Sequence, residues 1–241
     1  VPRRKEYRSP CRFDIVFTPG GSRKPPDVDW KADAMPTLPS DGVVSTIPEA
    51  VRRAAATWPD EDALVDVDTR LTWAELAERM TTVARAFAAS GIQPGDRVAL
   101  WAPNSATWVV TALGAYASGA VLLPINTRFK GEEAAYVLRT AGARMLFTVT
   151  DFLGTNYVDL LAGLPGLDAV EETVVLSGPV PAGRTGWSDF LARGVGSTED
   201  SASREAEARE AAIEPDQVSD IIFTSGTTGA PKGAMLTHGA S

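Results

Sequence analysis

The sequence predicts an α/β fold: mainly parallel sheets flanked by helices. Two observations carry this expectation. Short apolar runs alternate with helical patterns from Ser45 onward, and that alternation builds parallel sheets. The runs are also apolar throughout rather than every second residue, as strands covered on both faces must be.

Each element has its own signal. Thr46-Ile47-Pro48-Glu49 opens a helix, with Thr46 as cap and Pro48 in the first turn. Ala63-Leu64-Val65 reads as a strand. Thr72 caps a strong helix, with Glu75 three residues on as its capping-box partner. Leu76, Met80, Val83 and Phe87 line one face of that helix, and Gly91 ends it. Pro94-Gly95-Asp96 is a turn. Val98-Ala99-Leu100-Trp101 is a buried strand, Ser105 to Ser118 a nearly uncharged helix, and Ala120-Val121-Leu122-Leu123 another strand. A helix from Glu132 to Ala141 precedes the strand Met145-Leu146-Phe147-Thr148-Val149. A weaker helix near Val158–Leu161 leads to the strand Thr173-Val174-Val175-Leu176. Gly178 to Gly196 is rich in Pro and Gly and is expected to wander over the surface. Glu199 to Ala212 is charged and Ala-rich, so a solvated helix is expected there. Ile221-Ile222-Phe223 and Ala234-Met235-Leu236 are two further apolar runs.

No charge occurs from Val98 to Thr127, a stretch long enough to span a bilayer. Pro103, Asn104, Gly119 and Pro124 divide it, so a buried strand–helix–strand unit is the expectation, and no transmembrane segment. Residues 1–44 differ from the rest. The first forty hold seven of the 17 prolines, and residues 1–36 carry eight Lys/Arg against five Asp/Glu. This stretch is expected to be a disordered or non-homologous tail, with Met35 as an alternative start. Arg3-Arg4 lacks the apolar segment of an export signal.

The net charge of −8 argues against a basic nucleic-acid surface. One cysteine, Cys11, and one histidine, His238, leave no intrachain disulfide and no zinc site of the Cys/His kind. These counts fit a reducing cytoplasm. A Ser-His-Asp mechanism would need His238, which has no other support and is expected to cap or pack near a following helix.

Chemistry concentrates in Thr224-Ser225-Gly226-Thr227-Thr228-Gly229-Ala230-Pro231-Lys232-Gly233, between the last two apolar runs. Glycines let the backbone approach an anion, and successive N–H groups form an anion-binding concavity. Hydroxyls add donors and Lys232 a mobile positive charge. This is not a Walker A loop: Pro231 precedes Lys232 and Gly233 follows it.

The string T-S-G-T-T-G-x-P-K-G resembles the phosphate-binding signature of the adenylate-forming (AMP-binding) superfamily. That superfamily contains acyl-CoA synthetases, luciferases and peptide-synthetase adenylation domains. Further likeness to the acyl-CoA synthetases, or fatty-acid–CoA ligases, lies in Leu71-Thr72-Trp73-Ala74-Glu75-Leu76, Gly95-Asp96-Arg97-Val98-Ala99-Leu100, Pro103-Asn104-Ser105, Pro124-Ile125-Asn126 and Asp220-Ile221-Ile222-Phe223. It covers about Thr46 to Ser241. Outside the loop these segments are expected to be structural. Asn126 and Arg128 are either turn residues or face the cleft.

The resemblance implies that residues 45–241 are the N-terminal portion of an AMP-binding domain. It implies that a carboxylate attacks the α-phosphate of ATP to give an acyl-adenylate, and that coenzyme A then displaces AMP. Mg²⁺ would bridge phosphate oxygens. Thr224, Ser225, Thr227 and Thr228 would supply hydroxyls, Lys232 the cation, and Gly226, Gly229 and Gly233 the turns. Catalytic and metal-binding residues are expected downstream of Ser241, so the 241 residues alone are expected to be inactive. The expected substrate is a fatty or other hydrophobic acid. An adenylation domain for amino or aryl acids and a non-catalytic nucleotide-binding module are the alternatives.

Overall fold

The protein is described by a computed structural model, which covers residues 44–67, 69–195, 201–224 and 231–240. Residues 1–43 of the expected tail therefore fall outside the described residues.

Helix α1 (Ile47–Thr57) starts at Thr46, whose hydroxyl accepts from the Glu49 amide. Strands β1 (Asp62–Val65) and β2 (Arg70–Thr72) form an antiparallel hairpin that the sequence reading did not anticipate. Helix α2 (Trp73–Ala89) begins with a complete capping box: the Glu75 amide donates to Thr72 Oγ1, and the Thr72 amide donates to the Glu75 carboxylate at 2.8 Å. Leu76, Met80, Val83 and Phe87 are all buried.

The principal sheet then assembles from β3 (Arg97–Trp101), β4 (Val121–Pro124), β5 (Met145–Val149), β6 (Glu172–Ser177), β7 (Thr185–Gly186), β8 (Val218–Thr224) and β9 (Lys232–Thr237). Their order is β7-β6-β5-β3-β4-β8-β9. All neighbours are parallel except β8 and β9.

Handedness distributes the helices. Helix α3 (Ala106–Ala117) carries the chain from β3 to β4 in one direction across the sheet. Helix α4 (Gly131–Ala141) carries it back over β3 to β5, and α5 (Tyr157–Leu161) continues that way to β6. Right-handed crossovers running in opposite directions put their helices on opposite faces. The return from β7 to β8 again reverses direction, through α6 (Trp187–Ala192) and α7 (Ser201–Ala211), and brings both to the face of α3. The packing agrees: α2 touches α1, α3, α6 and α7, while α4 touches α5.

The uncharged stretch from Val98 to Thr127 is the buried unit β3–α3–β4, and no helix among the described residues is long and apolar enough to cross a membrane. The Gly95-Asp96-Arg97 segment is structural. Arg97 Nε and Nη2 donate to the carbonyls of Ala141 and Gly142, each at 2.8 Å, and so close the end of α4.

Two expectations are corrected. The stretch from Gly178 to Gly196 does not simply wander over the surface. Its middle adds β7 to the sheet and then forms α6, which drives Phe190 into the core. Phe190 is fully buried and meets Phe87 and Phe147 edge-to-face, with ring centroids at 5.2 and 5.0 Å. Apolar burial and aromatic contact outweigh the turn propensity of the flanking Pro and Gly.

Nor is the acidic helix α7 solvated all round. Ser203, Ala206 and Arg209, spaced by three, are buried. Ala206 packs with Met80, Ala84 and Ala88 of α2. Arg52 forks onto the Glu210 carboxylate with two bonds of 2.7 Å, and Arg209 donates to the Ile92 carbonyl and the Glu205 carboxylate. Small residues on the buried face permit close helix approach, and ion pairs at its borders satisfy the charges.

Candidate functional site

The glycine- and hydroxyl-rich segment joins β8 to β9. Thr224 and Lys232 are the last antiparallel pair before it, and both are exposed. Ser225, Gly226, Thr227, Thr228 and Gly229 lie outside the described residues. The structure thus brings Thr224 and Lys232 together at one root of the segment. That root emerges at the carboxyl end of β8, next to β4 in a parallel sheet. Open α/β sheets bind ligands outside the carboxyl ends of their strands.

Gly233 lies inside β9 opposite Phe223. A Cβ there would stand 2.8 Å from Ile221 Cγ2 and 3.2 Å from Phe223 Cε2. The missing side chain lets the Phe223 ring lie across β9.

The ring edge of Phe223 meets Tyr136 of α4, with centroids at 6.3 Å and planes at 90°. The Tyr136 hydroxyl donates to the Pro231 carbonyl at 3.2 Å. One helix residue thus touches both legs of the hairpin. Sequence reasoning missed Tyr136; the available signal was a tyrosine, apolar with a polar tip, in an otherwise apolar helix face.

Below the root lies a buried polar cluster. Asp220 of β8 accepts from the Tyr116 hydroxyl at 2.7 Å and from the Ser219 hydroxyl at 2.7 Å. Burial, and then the charge and hydrogen bond of Asp220, push the Tyr116 phenol well above its ordinary range, so it stays a donor. His238 opens the short 3₁₀ turn His238–Ala240, is buried, and stands edge-on to Tyr116 at 5.9 Å. It packs at the start of the following turn, as expected. Burial lowers its pKa, while the Asp220 charge works against that shift. Its Nδ1 atom has no hydrogen-bond partner among the described residues. This cluster ties α3 to β8 and to the turn that follows β9.

The loop after β4 is held by aromatics. Trp101 Nε1 donates to the Asn126 carbonyl at 3.1 Å and the Tyr157 hydroxyl to the Thr127 carbonyl at 2.8 Å. The two rings stack with centroids at 4.2 Å. The Asn126 side-chain oxygen accepts from the Arg128 amide at 2.9 Å, so Asn126 acts as a turn former.

Chemically, the described part of the site offers a primary ammonium and a hydroxyl at the mouth of a rigid sheet. That donor set suits phosphate oxygens. Among the described residues no cluster of three or more His, Cys, Asp or Glu is placed to hold a metal ion.

Comparison with known proteins agrees with this geometry. The profile of the AMP-binding enzyme family matches residues 51–241. The 3-[(3aS,4S,7aS)-7a-methyl-1,5-dioxo-octahydro-1H-inden-4-yl]propanoyl:CoA ligase of Mycobacterium tuberculosis is 42% identical over 195 residues, covering 80% of this chain and 36% of that protein. The ligase of the same name from Rhodococcus jostii is 39% identical over 201 residues, covering 80% of this chain and 38% of that protein. Among solved structures, an anthranilate CoA ligase in complex with anthranoyl-AMP superposes with a TM-score of 0.67 at 25% identity, covering 80% of this chain and 35% of that one. The chain thus spans a little over a third of the length of these relatives. The profile match, the order of the sheet and the position of the hydroxyl-rich hairpin together establish that this chain belongs to the AMP-binding enzyme family.

Proposed function

We propose that this chain serves the ATP-dependent activation of a hydrophobic carboxylic acid to its coenzyme A thioester, within the AMP-binding part of an acid–thiol ligase. A carboxylate oxygen attacks the α-phosphorus, the bond to the bridging oxygen breaks, and pyrophosphate leaves. The thiol of coenzyme A then attacks the acyl carbon, loses its proton, and displaces AMP.

The observation that carries the reading is the pairing of Thr224 with Lys232 at the carboxyl end of β8. Negative charge grows on pyrophosphate as it departs, and donors already in place stabilise it without reorganisation. Lys232 supplies charge, and Thr224, with Ser225, Thr227 and Thr228, supplies hydroxyls to the β- and γ-phosphates. Gly226, Gly229 and Gly233 would permit the backbone to fold over the phosphates. Mg²⁺ would enter on the triphosphate and neutralise its oxygens further.

The substrate class draws on the relatives. Two are named for a propanoyl chain bearing a methylated dioxo-octahydroindenyl group, and a third was solved with anthranoyl-AMP. Both acyl groups are built on a carbocyclic ring, which supports an acid with a substantial hydrocarbon part. We assign residues 45–241 to the AMP-binding domain, residues 1–44 to a separate tail, and the activity to the cytoplasm, where ATP and coenzyme A meet.

The test is Lys232→Ala in the full-length protein. Pyrophosphate exchange should fall by about a hundredfold, the usual loss for one donor to a developing oxyanion. Thioester formation from preformed acyl-adenylate should stay near the parent rate. Equal slowing of both half-reactions would refute the assignment.

A further inference from the structure

We infer that Tyr136 is a positioning residue for Lys232, acting on the adenylation step through the root of the β8–β9 hairpin. The inference rests on the reading of Lys232 as a phosphate ligand.

Tyr136 sits in the middle of α4, a helix whose two ends are tied down independently. At the start, the Lys130 amide donates to the Glu133 carboxylate at 2.8 Å. At the end, the Arg97 guanidinium takes the carbonyls of Ala141 and Gly142. Ala134, Ala135, Val137 and Leu138 on either side of Tyr136 are buried, each 1% exposed or less. The helix is therefore a fixed platform, and Tyr136 is half-buried at its border with β8.

From that platform the side chain makes two contacts. Its ring meets Phe223, the residue before Thr224. Its hydroxyl donates to Pro231, the residue before Lys232. The second contact has a particular value. Pro231 has no N–H, so it cannot add a donor of its own to the ladder. The next bond inward is the Thr224–Lys232 pair at the very end of the hairpin, where strands fray. A hydrogen bond to the Pro231 carbonyl holds the backbone that leads into Lys232 at the place where the ladder itself stops. Phe223 reaches Tyr136 because Gly233 leaves its ring free to cross β9.

A lysine side chain is long and mobile, so its ammonium is only as well placed as its backbone. Loss of about an ångström of precision in a positioning contact is enough to slow a reaction whose transition state needs charge at a set point.

The experiment is a double-mutant cycle in the full-length protein with Tyr136→Phe and Lys232→Ala, read by pyrophosphate exchange and by the thioester half-reaction. Tyr136→Phe keeps the ring on Phe223 and deletes only the hydroxyl. It should raise the KM for ATP and lower kcat/KM for adenylation by roughly two- to tenfold, the fold-change that one net hydrogen bond supports. The KM for the acid and the thioester step should not change. On a Lys232→Ala background the same substitution should have no further effect, because the group it positions is gone.

A merely structural hydroxyl would lower both half-reactions and would do so additively with Lys232→Ala; that result overturns the inference. Unchanged ATP kinetics in Tyr136→Phe, with Lys232→Ala still impaired, overturns it as well and leaves the phosphate-ligand reading intact. Full adenylation activity in Lys232→Ala overturns the reading beneath it.

Discussion

Removing the Phe190 ring tests the part of the fold that sequence composition least suggests. The side chain is fully buried on α6. It contacts Phe87 and Phe147 edge-to-face, stacks on Trp187 at 5.7 Å, and carries the Arg193 guanidinium 5.9 Å from its ring centroid. Phe147 belongs to β5 and Phe87 to α2, so one ring joins helix, sheet and helix. Truncation of a buried Phe to Ala costs about 3–5 kcal/mol. Three aromatic neighbours losing favourable geometry point to the upper half of that range. Against a total stability of about 5–15 kcal/mol for a domain, that is a large fraction. At about 2–4 °C per kcal/mol for a chain of this size, Phe190→Ala should lower Tm by roughly 10 °C or more. Phe190→Leu keeps much of the apolar volume but loses the ring contacts, so it should cost less than Phe190→Ala without being neutral. Urea titration followed by circular dichroism measures both. A Phe190→Ala midpoint within about 1 kcal/mol of the parent would mean that residues 187–192 lie on the surface after all.

Two further outcomes follow from the described contacts. Thr72→Ala deletes the acceptor for the Glu75 amide and should destabilise by about 1 kcal/mol in the same titration; an unmoved midpoint would contradict the capping box. Stability should also fall as pH drops below about 6.5, because burial lowers the His238 pKa and the unfolded chain takes up that proton first. Asp220 and Tyr116 are the titratable groups facing His238, and the phenol stays protonated throughout this range. Glu49 and Glu172, whose pKa values are lowered by hydrogen bonds from Ser45 and Arg193 respectively, add stability that is lost only below about 4.5. Denaturation midpoints at pH 7.5 and 5.5 should therefore differ in the parent and converge in His238→Gln; a slope unchanged by the substitution would refute the assignment.

Much of the architecture was legible before any coordinates. Thr46, Thr72, Ser105 and Gly91 mark helix boundaries because capping is a local interaction between a side chain and backbone a few residues away. The runs at 98–101, 120–123 and 145–149 declare a two-sided sheet because burial on both faces removes alternation. The segment from Thr224 to Gly233 stands out because its glycines, hydroxyls and lysine are contiguous in the chain.

The remainder depended on partners distant in sequence. Residues 185–192 read as Pro- and Gly-flanked surface until Phe87 and Phe147 supply the pocket for Phe190. Helix α7 reads as a charged, Ala-rich, solvated helix until Arg52 and the small face of α2 show which side it buries. Tyr136 carried no reading of its own, because it lies 95 positions from the carbonyl it holds. Sequence alone determined most helix starts, which strands are covered on both faces, and that glycines, hydroxyls and a lysine crowd into ten residues, since all of these are set by neighbours along the backbone. Tertiary structure decided which face α6 and α7 bury and what braces the root of the hairpin, because those contacts exist only once the sheet has ordered its strands out of sequence.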